Sequence, residues 1–166
     1  LYRLVGSEMC IRDRVGAGCD LATMCDIRIA SEGALFAESF VKLGLIPGDG
    51  GAWFLPRAVG VSNANYMSFT GESIKADTAL QMGLVSEVLA PEKLMARAME
   101  IAQLIAKNPP HAVRLAKQLI KGSEKSTLDE TLDKSASFQA VCHAEPDHQE
   151  AIAAFFEKRD GNYRTR

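Results

Sequence analysis

Apolar positions in the first ninety residues fall in short clusters broken by glycine and proline; beyond them they recur every three to four residues. Ile27 and Ile29 alternate with polar or small neighbours in DIRIAS, which predicts a strand over 26–31. GALFAESF, 33–40, predicts a second short extended piece. Pro47, Gly48, Gly50 and Gly51 predict a loop, and AWFLPRAVG a helix behind it, with Pro56 near the first turn or at a kink. Residues 62–70 predict a helix stopped by Gly71, and 74–83 another stopped by Gly83. LVSEVLA, 84–90, predicts a strand. Pro91 suits a first helical position, and Leu94, Ala98, Ile101 and Ile105 form one stripe behind it. After Asn108, Pro109 and Pro110, a helix over 111–121 turns Val113, Ala116 and Ile120 inward. A third helix starts near Ser126 with Asp129 as its capping partner. The last starts at Asp147 with Glu150 as partner and carries Ile152, Phe155 and Phe156, and GNYRTR is a frayed tail. Four amphipathic helices beside so few strands leave apolar faces that missing chain or a partner subunit would cover.

The picture is that of an α/β chain with a helical C-terminal half. At 166 residues one domain is the default. A net charge of -2 argues against a nucleic-acid footprint over the whole surface, and no apolar run approaches the ~20 residues of a membrane span. Arg3, Glu8, Arg12, Asp13 and Arg14 interrupt any signal-peptide core. Four cysteines without CxxC spacing fit a reducing, cytoplasmic setting. Cys142, His143, Asp147 and His148 lie close in sequence, but bunched ligands on one segment are a poor metal site, and none is expected. LVGSEMCIRDR resembles the translation of a sequencing adaptor, so residues 1–14 are set aside as non-native.

VGAGCDLATMCDIRIAS, 15–31, places Gly16, Ala17 and Gly18 before a helix-like run with Asp20 in its first turn. Small residues allow close approach to the backbone, and a helix start presents free N–H groups and partial positive charge. The combination suits a polarised oxygen, or a tight packing corner. GAGCDL is not a dinucleotide fingerprint, since its sixth position is Leu21 and no clear strand precedes it; PGDGG lacks the Lys-Ser/Thr of a P-loop.

GAGCDLATMCDIRIAS, LGLIPGDGGAWFLPRAVG, TGESIKADTALQMGLVSEV and NPPHAVRLAKQLI resemble, in order and spacing, the enoyl-CoA hydratase/isomerase (crotonase) family from about residue 15 to about residue 160. The resemblance implies a ββα spiral, partial over 15–90, followed by a helical trimerisation region over 91–166. It implies a homotrimer or hexamer at full length, an acyl-CoA thioester as substrate, and no cofactor beyond the coenzyme A of that substrate. It also implies two backbone N–H groups that hold the thioester oxygen. One falls on Ala17, with Gly18 beside it and Gly16 in the same turn. The other comes from an upstream loop, so the chain resembles the C-terminal portion of a family member.

Hydratases of the family use two glutamates. The resemblance puts Asp20 at the first position, one methylene shorter, and Phe40 at the second, where no proton can be carried. Glu38 and Asp49 are the other acids. Glu38 shares a face with Phe40 if the segment is extended, and otherwise reads as a solvated strand residue; Asp49 reads as a turn residue between glycines or as an acid. Trp53 and Phe54 read as core, with acyl-pocket lining as the alternative, and Lys158 and Arg159 as a solvated helix end or a phosphate contact. One carboxylate suffices to move a double bond, so isomerisation or a variant reaction is favoured over hydration. The alternative is a catalytically silent interaction module.

Overall fold

The computed structural model describes residues 14–163. The expectation for 1–14 lies outside the described residues save for Arg14, which opens a strand. The chain forms two compact units that divide after Ala102.

The first unit begins with β1 (Arg14–Val15), α1 (Ala17–Thr23), β2 (Ile29–Ser31) and β3 (Leu35–Ala37). A 3₁₀ turn (Ser39–Leu43) leads to α2 (Gly51–Thr70), then β4 (Ile74–Lys75), α3 (Ala76–Gln81), β5 (Glu87–Leu89) and the greater part of α4 (Pro91–Ala106), whose last turn belongs to the second unit. β3 lies between β1, parallel to it, and β4, antiparallel; β2 and β5 form a separate parallel pair in which Ala30 faces Val88. Phe36, Leu55, Met67 and Leu84 are fully buried and form the centre of the core with Ile74, Ala76 and Ala79. Arg28 ties β2 to the loop before β5, its Nε donating to the Leu84 carbonyl at 2.6 Å and its Nη1 to that of Cys25 at 2.8 Å.

The two helices expected over AWFLPRAVG and 62–70 are one element with a break. Gly60 sits at φ 79°, ψ 157°, outside helical space, and joins the two segments of α2. Pro56 stays inside the first segment, because a proline there removes one hydrogen bond while its neighbour Leu55 is held in the core. Residues 74–83 start extended rather than helical, since Ile74 pairs with Phe36 before α3 begins.

The second unit holds α5 (Pro110–Ser123), α6 (Leu128–Ala144) and α7 (Pro146–Glu157), with α5 against α6 and α6 against α7. The cap of α6 falls one residue later than expected: Thr127 Oγ1 accepts from the Glu130 N–H at 3.3 Å, and Glu130 Oε2 accepts from the Thr127 N–H at 2.8 Å. Glu150 does not cap α7. It accepts from Arg159 Nη1 at 2.5 Å and from the Asn162 N–H at 2.8 Å, which anchors the start of the expected frayed tail. The inward stripe expected on α5 is also corrected, because Ala116 is exposed and Ile120 is 69% exposed.

Candidate active site

The site grows from the turn between β1 and α1. Gly16 has φ 56° and ψ -124°, a conformation that costs glycine little and a side chain much. Its N–H is spent on the Ala37 carbonyl at 2.8 Å, which fixes the turn to β3. Its carbonyl accepts from the N–H groups of Cys19 (2.8 Å) and Asp20 (3.1 Å). That leaves Ala17 and Gly18, whose N–H groups make no hydrogen bond among the described residues. Ala17 is exposed and Gly18 half-buried, so two unspent donors meet solvent at a helix start. A Cβ on Gly16 would lie 3.5 Å from the Phe40 ring, which therefore floors the turn.

Asp20 lies in the same helical turn as these donors, and Glu38 lies against Asp20. Asp20 is 0% and Glu38 1% exposed, and all four carboxyl oxygens are without a hydrogen-bond partner among the described residues. The Glu38 carboxyl faces that of Asp20, with the Cys19 thiol alongside. Burial is the main cause that pushes Glu38 up to about 7; the Cys19 thiol opposes it by hydrogen bonding, and Asp20 adds to it by a shared hydrogen bond and by its charge. Burial and the Glu38 charge also push the Cys19 thiol well up, so it is no nucleophile. From the other side, α2 brings Gly51 so near that a Cβ there would lie 1.9 Å from Asp20 Oδ1. Glycine at 51 is therefore a condition for Asp20 to occupy its place.

Gly16, Ala17, Gly18, Asp20 and Phe40 are thus brought together, with Glu38 and Gly51 added. The expectation of a solvated Glu38 is overturned: β3 ends at Ala37, and the chain turns into the 3₁₀ helix with the Glu38 side chain inside. No alternation announced it, since Phe36, Ala37 and Glu38 are buried in succession. Asp49 is exposed in the loop before α2, and its carboxylate makes no hydrogen bond or ion pair among the described residues. Trp53 is not core. It is 41% exposed, with the Arg57 guanidinium 3.4 Å above its ring. Phe54 is half-buried against Gly50. Arg159 is engaged by Glu150 and Glu157, and no group of three or more potential metal ligands occurs among the described residues.

The family model for enoyl-CoA hydratase/isomerase matches residues 13–166. The chain belongs to the enoyl-CoA hydratase/isomerase family. It is 43% identical over 145 residues to a short-chain-enoyl-CoA hydratase of Clostridium acetobutylicum, covering 87% of this chain and 56% of that protein. It is 36% identical over 148 residues to a 1,2-epoxyphenylacetyl-CoA isomerase of Escherichia coli, covering 89% and 56%. The solved enoyl-CoA hydratase of Bacillus anthracis superposes with a TM-score of 0.89 at 38% identity, covering 91% of this chain and 58% of that one. The chain has the crotonase fold of these relatives and spans little more than half their length. Hydratases and isomerases both occur among them, so family membership alone does not choose the reaction.

Proposed function

We propose that the protein carrying this chain processes an acyl-CoA thioester, with the Ala17 N–H, and Gly18 beside it, gripping the thioester oxygen as charge moves onto it. The observation that carries this reading is the pair of unspent amides in the same first turn of α1 as a buried carboxylate. Fixed donors aimed at developing negative charge contribute on the order of 3 kcal/mol each in a water-poor site. Asp20 is the proton carrier. It lies in the same helical turn as the amides, and a carboxylate there can remove a proton beside the thioester carbonyl and return it elsewhere on the chain. Phe40, at the second glutamate's position in the resemblance, carries no proton, which favours isomerisation of an enoyl-CoA over its hydration.

The exposed Phe155 and Phe156 on α7 support the homotrimer or hexamer as the working assembly. Coenzyme A enters as part of the substrate, and we propose no further cofactor and no nucleic-acid or membrane partner. No helix among the described residues is long and apolar enough to cross a membrane; a cytoplasmic setting is part of the same proposal.

The test is turnover of crotonyl-CoA and of a 3-enoyl-CoA by the full-length protein and its Asp20→Asn variant. We expect a fall of about 100-fold or more in kcat, the scale of a lost general base. Unchanged turnover removes Asp20 from the mechanism. The complete burial of the Asp20 carboxylate favours a second reading, a catalytically silent interaction module. Calorimetry with an acyl-CoA separates the two, since tight thioester binding sinks the silent reading.

A further inference from the structure

Two buried carboxyl groups share one space beneath the turn, and the proposed reaction uses only one of them. Glu38 reaches Asp20 from the end of β3, and apart from the weak Cys19 thiol beside Glu38 neither group meets a hydrogen-bond donor of the protein among the described residues. Two unpaired carboxylates in contact, both shielded from water, repel each other and both lack solvation. A single proton held between them relieves both costs, because a protonated carboxyl donates an O–H···O⁻ bond to its ionised neighbour.

We propose that Glu38 is a positioning residue for Asp20: the buried pair holds one proton, and the hydrogen bond it makes between the two carboxyl groups keeps Asp20 in place beneath Gly51. This rests on the assignment of Asp20 as proton carrier. Asp20 sits in the first turn of α1 and Glu38 is the capping residue of the 3₁₀ turn, so the two carboxyl groups meet from two helix starts. The groups that face Glu38 are Asp20 and Cys19, both from α1. Arg28, which interacts with Cys19 electrostatically, has its guanidinium committed to two backbone carbonyls. α2 adds the Gly51 backbone over Asp20. Glu38 thereby supplies to Asp20 the hydrogen bond that no other described residue gives it.

Infrared spectroscopy of the full-length protein across a pH titration tests the proton directly and needs no substrate. We expect a protonated-carboxyl band that persists to about pH 7. It should vanish in Glu38→Gln and move to lower pH in Asp20→Asn, where the raising charge is gone. No such band above pH 6 in the parent protein, or a band that survives Glu38→Gln, overturns the proposal. A kinetic arm tests positioning. The amide of Glu38→Gln can still donate to Asp20, so kcat should stay within about threefold. Glu38→Met fills similar volume without a donor, so kcat should fall about tenfold or more with KM little changed. Failure of Gln to restore what Met loses overturns the positioning role. If Asp20→Asn keeps full turnover while the band behaves as expected, it is the function assigned to Asp20 that fails, and the shared proton stands.

Discussion

At the scale of a residue, Glu38 links function to stability. Its carboxyl titrates at about 7 in the fold against an ordinary value of 4.5, because the ionised form has lost its water. A group whose folded pKa is raised contributes its full stability below the unfolded value and loses it as pH rises through the folded one. Glu38 therefore favours the native state most below pH 4.5, and that contribution drains away from there to above pH 7, by roughly 3 kcal/mol from the size of the shift. Urea unfolding of the full-length protein and of Glu38→Gln at pH 5 and pH 8 checks this. The variant should gain on its parent between the two values; a constant difference means that Glu38 does not ionise in the native state. Little of this was legible in the sequence. Glycines flanking Ala17 announced the turn before α1, and Asp20 its place in the first turn of that helix. Glu38 read as a solvated strand residue because local alternation does not say that β3 stops at Ala37 and turns the next side chain inward.

At the scale of elements, α2 decides whether the site can exist. A methyl group on Gly51 would lie 1.9 Å from Asp20 Oδ1 and 2.8 Å from its Cγ, so Gly51→Ala displaces the carboxylate. The overpacking should cost about 1–3 kcal/mol, and misplacement of the reacting group about 100-fold in turnover. Gly48→Ala, which meets only the Ile46 carbonyl at 3.8 Å, is the control and should melt and turn over like the parent. If both alanine variants behave alike, the contact with α2 does not position Asp20. Element boundaries show the limits of sequence pattern in another way. Ser126 and Thr127 are both capping residues with an acid three positions on, and only helix geometry selects Thr127 with Glu130. Thr127→Ala should cost about 1 kcal/mol in urea unfolding and Ser126→Ala less than half of that; the reverse order would move the cap back to Ser126.

At the scale of the whole molecule, the exposed apolar faces of the C-terminal helices demand cover. Phe155 and Phe156 are 79% and 76% exposed, and their rings pack edge to face with centroids 5.7 Å apart. Their neighbour Ala154 is the buried residue of α7, so the helix has satisfied its own unit with a small side chain and presents its two largest outward. The helical period made the apolar face visible in the sequence, but period alone assigns no side of a helix to the chain's own core, and on α5 it pointed Ile120 the wrong way. Burying a phenylalanine is worth about 2–3 kcal/mol, so covering both is worth several kcal/mol to whatever packs there. We propose that a second copy of the chain, rather than further chain of the same subunit, covers this face. The double substitution Phe155→Asp, Phe156→Asp in the full-length protein should reduce the mass seen by sedimentation from a trimer or hexamer to smaller species, with helical circular dichroism retained. An assembly of unchanged mass would move the interface away from α7.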